Sequence, residues 1–328
     1  MKKAIVTTLL IACFVGMAVA ADTHSYSAAR PGVVAGPKIP VHQFISRRGM
    51  QQAGASIFTS DYEDNAVWWY DTKGDLLGTI TNNLLNPQGL VTDAKNNLYV
   101  ADTGNSNLLI YAKPYTKTPK TLDASGWYPV GISQFNNGEW VAAANIFATN
   151  GDAGSVLIYR YNKLVRTITN SSFFEYYFCA FDSKGNLFVD GRDDNGNTIL
   201  GVVLSATAGG STLKVISTGN TIEFPGGIAV NASGQVAIDD QDASTVYTYN
   251  GLAHGSLGNP IKTTPLSGVG DGVNFAFMGG GKTLWVADAV NLNLTQYNYP
   301  KGGSSINTIT PSGAGLLIGV AVTPALAP

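Results

Sequence analysis

Four aspartates raise the first chemical question. Asp61, Asp102, Asp240 and Asp288 each end an apolar run and precede a short polar turn. Carboxylates in such places can act as general acids or bases, or as oxygen ligands for a hard cation. They can also accept the free N–H groups of the turn itself, as in Asx motifs. The stretch NNLYVADTGNSNLLIY (96–111) shows the pattern most plainly. All four stand at one register of a repeated unit, which favours the structural role. A catalytic ring of carboxylates would need partners from other loops, and none recurs at a matching position.

Other reactive groups are sparse. His24, His42 and His254 fall outside the candidate inner strands, so they do not form a convergent zinc set. No Gly-x-Ser-x-Gly elbow is present. Cys179 lies between Phe178 and Ala180 in an apolar run and reads as a small buried hydrophobe. A reactive thiol would want a neighbouring base or cation, and the local sequence offers only Glu175.

The elements that would position these residues come from a repeat. Related units span 87–111, 128–159, 177–203, 224–249 and 273–297. Each reads as a strand with a small residue, a Gly/Asn turn, a second strand, a hairpin and a third strand, commonly ending in Tyr. Taking Gly89, Gly131, Ala180, Gly227 and Ala276 as the register gives spacings of 42, 49, 47 and 49 residues. A fourth strand recurs at Thr79-Ile80, Thr121-Leu122, Thr167-Ile168, Val215-Ile216 and Thr308-Ile309. Periods of about 40–50 residues with four strands each indicate propeller blades. SIFTSDYEDNAVWWYD (56–71) lacks a first strand, whereas 316–324 is a first strand with nothing after it. The expected fold is therefore all-β: a six-bladed propeller over 51–328, with the strand at 316–322 closing the ring onto the N-terminal blade. The third blade carries Ala143 or Ala144 at the aspartate register, and the fourth carries Asp190 one residue early.

The flanks and composition set limits. Lys2 and Lys3, an apolar stretch to Val19 and the Ala18-Val19-Ala20 site read as a signal peptide over 1–20. That implies an exported chain, periplasmic or extracellular. A lipoprotein anchored at Cys13 is the minority reading. No second stretch of that length predicts a membrane span. Residues 21–50 are Pro/Gly/Ala-rich in their first half and read as a linker, with Val41–Ser46 a strand candidate that the repeat does not place. Net charge is −2, with 13% charged residues and no Lys/Arg run beyond the start, which argues against nucleic acid as a partner.

The units resemble NHL repeats, best at Gly89–Tyr111, and the six-blade arrangement resembles NHL and SMP-30/gluconolactonase-like propellers, including exported bacterial ones of unknown function. The SMP-30 resemblance implies a divalent cation such as calcium at the channel top, held by Glu, Asn and Asp. The residues expected there are Gln88, Val130, Cys179, Gly226, Phe275 and Ile318, preceded by Pro87, Pro129, Phe178, Pro225, Asn274 and Leu317. Only Gln88 and Asn274 bring oxygen donors, so no metal ligand carries over and no cofactor is expected.

The aromatic clusters remain. Trp127, Tyr128, Tyr176 and Tyr177 immediately precede inner strands and are expected near a channel mouth, beside Gln88 and Asn274, as exposed contacts for a ligand. The function expected is a non-catalytic binding module, monomeric, for a protein, peptide or carbohydrate. The alternative is an SMP-30-like lactonase or hydrolase with a divalent metal in the channel.

Overall fold

A computed structural model describes residues 42–51 and 54–324. The expected signal peptide, Cys13, His24 and residues 21–41 lie outside the described residues. Six antiparallel sheets form the blades of a ring. Their inner strands are Leu317–Thr323, Pro87–Thr92, Trp127–Phe135, Glu175–Phe181, Pro225–Val230 and Gly272–Met278, in blades one to six.

Blade one joins the two chain ends. Leu317–Thr323 pairs with Ser56–Asp61, Val322 opposite Ile57, so the last strand supplies the inner edge that the N-terminal hairpin lacks. Residues 42–51 also belong to this blade rather than to a linker. Phe44–Ile45 pairs with Leu76–Ile80 as a fifth, outer strand. The short helix α1 (Arg47–Gln51) follows, and Arg48 pairs with Asp71 and Asp75.

Turn chemistry fixes the hairpins. Asp93 accepts the N–H groups of Lys95 and Asn97 at 2.9 Å each, and Asn96 takes φ 62. Asp182 does the same for Lys184 and Asn186, with Gly185 at φ 75. Both are Asx turns joining a first strand to a second.

The recurring aspartates clamp two segments each. Asp288 accepts N–H groups from Val290 and Asn291 in its own hairpin, at 3.0 Å each, and from Gly270 (2.9 Å) and Asp271 (3.2 Å) in the loop leading into the inner strand. Asp61 holds Asp64 as well as Gly315 and Leu316. Asp240 holds Ala243 as well as Glu223 and Phe224. Asp102 accepts from Leu85 and Asn105.

The inner strands approach closely. A Cβ on Gly319, Gly89 or Gly131 would fall 2.2–2.4 Å from a carbonyl oxygen of the next blade. Gly227 would meet the Asn274 side chain at 2.4 Å. Here glycine is required by space, not by φ. In blades four and six the equivalent positions are Phe178 and Asn274, two residues before the Ala180 and Ala276 expected from sequence. The pairing shows this: past the bulge common to all six inner strands, Tyr176 faces Gly191 and Cys179 faces Val189, and Gly272 faces Asp288 and Asn274 faces Ala287, so the crowded position holds a larger residue and the next alanine lies two along. The same register puts Asn145, not Ala143 or Ala144, at the aspartate position of blade three, opposite Pro129.

The fourth strand of blade five, Lys262–Pro265, had no counterpart in the sequence reading. The chain first leaves the blade, and Ser256–Gly258 pairs in parallel with the outer strand of blade four, Leu213–Thr218. That excursion separates the third strand, ending at Tyr249, from the fourth, beginning at Lys262.

Two stability outcomes follow. Gly131→Val should lower unfolding free energy by about 2–3 kcal/mol through overpacking against Tyr177, measured by urea denaturation. Asp288→Ala should cost about 2–4 kcal/mol, because buried donors lose their acceptor, whereas exposed Asp242→Ala should stay within about 0.5.

Candidate functional site

The bulge on each inner strand leaves one extra residue: Gln88, Val130, Tyr177, Gly226, Val273 and Ile318. These share one level around the axis. Val130, Tyr177, Val273 and Ile318 pack with Phe178 into a single buried cluster, so the channel is plugged at this end. At the other end the six inner strands enclose a cavity of about 140 Å³, with Ser133, Gln134 and Asn274 among its polar walls.

Above the plug lies an aromatic floor. Phe147 meets Phe174 edge-on at 5.4 Å, and Tyr177 stacks on Phe224 at 5.6 Å. Tyr62, Tyr128 and Phe174 pack on the same cluster and stay half-exposed. Burial, with Glu63 and Tyr128 nearby, pushes the Tyr62 phenol up to about 12, keeping it a neutral hydrogen-bond donor. The Tyr177 hydroxyl donates to the Glu175 carboxylate. Arg192 approaches Glu175 at 4.0 Å, lies over the Phe224 ring at 5.1 Å and donates its Nε–H to the Gly196 carbonyl at 2.7 Å.

The sequence-predicted residues divide. Tyr128 and Tyr177 do sit at this mouth, Tyr128 half-exposed but Tyr177 only 2% exposed. Tyr176 is wholly buried rather than exposed: it stacks on Phe173 at 4.8 Å, and its hydroxyl accepts the Asn170 N–H. Adjacent strand residues point to opposite faces, so Tyr176 enters the interblade core where Tyr177 turns to the axis. Trp127 packs half-buried between blades two and three. Gln88 is buried in the plug level, with no partner on Oε1. Asn274 belongs to the cavity at the far end. The sequence reading missed Tyr62, Phe147, Phe174 and Phe224. Phe174 and Phe224 carry a readable signal, an aromatic directly before an inner strand.

The level where the resemblance to SMP-30 would place metal ligands offers one amide, in Gln88, and no carboxylate. The corrected register replaces Cys179 and Phe275 there by Tyr177 and Val273. Among the described residues no three His, Cys, Asp or Glu converge for a metal. The donor set does not fit that cation. Cys179 is buried, and burial pushes its thiol well up, away from a thiolate.

Two carboxylates stand behind the plug, one residue before the aspartate register. Asp190 accepts the Phe178 N–H at 2.7 Å through one oxygen; the other has no partner. In blade one Ser60 fills this place, accepting from Gly319 and donating to the Gln88 carbonyl. Asp239 is fully buried with neither oxygen partnered. Burial first, then Asp240, Asp271 and Asp190, holds it well above the usual carboxylate range.

Residues 84–111 match the NHL repeat model. The chain is a six-bladed β-propeller carrying an NHL repeat. Among solved structures, the propeller superposes on a chain of a nidogen/laminin complex with a TM-score of 0.65 at 15% identity, covering 82% of this chain and 98% of that one. A functionally unknown protein from Desulfotomaculum acetoxidans DSM 771 matches with a TM-score of 0.55 at 12% identity, over 82% and 99%. A protein of unknown function from Bacteroides caccae matches with a TM-score of 0.59 at 8% identity, over 82% and 99%. At these identities the likeness is one of fold. A search of curated proteins returns no match. No helix among the described residues is long and apolar enough to cross a membrane.

The buried acids predict a pH profile. Burial raises Asp102 to about 6, and burial with Asp288 and Asp242 nearby raises Asp271 to about 7. Both folded values exceed the unfolded value of about 4, so the stability they contribute is present below pH 4 and lost as pH rises through 6–7. Asp271→Asn should remove the upper part of that loss, read from urea melts between pH 4 and pH 8. A wild-type stability that climbs across this range would contradict it.

Proposed function

We propose that the propeller is an exported, non-catalytic binding module whose partner seats on the aromatic floor at the plugged end. The observation that carries this reading is the floor itself. Tyr62, Tyr128 and Phe174 pack on this buried cluster and each keeps part of its surface exposed. Amphipathic rings held that way contribute contact area at little conformational cost. Export rests on the basic start and apolar stretch of residues 1–20. The lactonase alternative would need a set of oxygen ligands at the channel top, where the side chains are mostly apolar.

The test compares wild type with a Tyr128→Ser/Phe174→Ser double variant as bait against the exported fraction. Capture of a defined protein, peptide or glycan should fall at least about tenfold in the variant, with the melting temperature within a few degrees. Equal capture would reject the floor as the binding surface. Lactone turnover by the wild type would reject the non-catalytic reading.

A further inference from the structure

The two ends of the ring carry opposite charge. Strand order places the hairpins between second and third strands, and the loops leading into inner strands, at the floor's end. Those connections contain eight acidic residues and no Lys, Arg or His. Glu63, Asp152, Asp194, Glu223 and Asp242 are the exposed ones. The turns at the opposite end hold seven lysines against four acids, Asp75, Asp93, Glu139 and Asp182, so that end is net positive. The one base beside the floor is Arg192, engaged by Glu175, Phe224 and Gly196.

A second observation is a pair of buried acids packed against the plug. Gly226 leaves its place in the plug without a side chain. A Cβ there would lie 3.1 Å from Asp239 Oδ2, and one on Gly272 would lie 3.3 Å from the same oxygen. Neither glycine has positive φ, so each is required by the close approach of its neighbours rather than by backbone conformation. The Asp239 carboxyl packed against both is wholly buried, and neither of its oxygens has a hydrogen-bond partner. Asp271, just before Gly272, is a second buried acid beside it.

We infer that the floor's end docks a basic polypeptide segment, its Lys or Arg side chains set among the exposed acids and its apolar stems on Tyr62, Tyr128 and Phe174. This deepens the binding-module reading and rests on it. Charge complementarity selects the partner, and the lysine-bearing end repels it, so encounter is steered to one face. Aromatic faces beside carboxylates suit guanidinium and ammonium groups on long apolar stems.

Fluorescein-labelled octa-arginine, with octa-glutamate as control, tests this by anisotropy on the full chain. Octa-arginine should bind and weaken at least tenfold between about 20 and 200 mM NaCl, since the contacts are screened surface charges. The Asp194→Asn/Glu223→Gln/Asp242→Asn variant should lose at least tenfold in affinity with its melting temperature unchanged. Lys95→Gln/Lys184→Gln/Lys282→Gln, at the opposite end, should bind as well as wild type or better. If octa-arginine binds equally to wild type and the acid variant, the face is not the site and the inference falls. If it fails to bind while bait capture still depends on Tyr128 and Phe174, the basic partner is wrong but the binding module stands. Self-association at low salt in sedimentation, abolished by either charge variant, would replace the outside partner with a second copy and overturn the inference.

Discussion

One hydrogen-bonded seam holds the ring: the pairing of Leu317–Thr323 with Ser56–Asp61. Without it blade one has three repeat strands and no inner edge, and two sheet edges face solvent where closure leaves none. Asp61 reinforces the seam by accepting the Gly315 and Leu316 N–H groups across more than 250 residues of chain. Loop-closure entropy rises only with the logarithm of length, so such a contact is affordable thermodynamically. Each other blade closes largely within its own stretch of sequence. The architecture therefore combines local hairpins with a single distant pairing that turns an open stack into a ring.

Closure also fixes the radius, and the radius decides where function can sit. The inner strands come so near that a methyl group on Gly89, Gly131 or Gly319 would collide with the next blade's carbonyl. At that spacing the extra residue of each bulge fills the axis, and Val130, Tyr177, Val273 and Ile318 make an apolar plug. A plugged axis withholds the polar cavity that a channel-top metal would use. What remains variable is the set of loops around the plug, where backbone contacts are held by the aspartate clamps and side chains are free to differ. A rigid scaffold with variable loops at one end is the usual arrangement of a binding surface.

Most of this scaffold was legible, because a blade is written as local chemistry. The Asx turn at Asp93, the clamp at Asp102 and the alternating strands around them sit within about twenty residues, so the repeat announces itself. The register of blades four and six was not legible, because the crowded position that glycine marks in the other blades holds a larger residue there. Ala180 and Ala276 are small, but the positions that meet the next blade are Phe178 and Asn274. That slip carried Tyr176 to the wrong side of its strand. The outer strand at Lys262–Pro265 was hidden by the excursion through Ser256–Gly258, which pairs with a different blade.

Charge was hidden for another reason. A net charge of −2 reads as featureless, yet one end of the ring carries eight turn acids and no base while the other carries seven lysines against four acids. The signal lies in which turn a charged residue occupies: turn lysines fall only between first and second or third and fourth strands, where Asp75, Asp93, Glu139 and Asp182 accompany them, and the other connections carry acids alone. Folding the ring converts that alternation along the chain into separation in space. Asp239 belongs to the same effect. In sequence it is merely the residue before a clamp. In the ring it lies beside Gly226 and Gly272, within the field of Asp240, Asp271 and Asp190. A buried carboxyl without a donor is costly to charge. Among the described residues, the end of the ring whose loops carry no cation is thus also the end that gathers the buried acids, which favours the protonated form of Asp239 and Asp271.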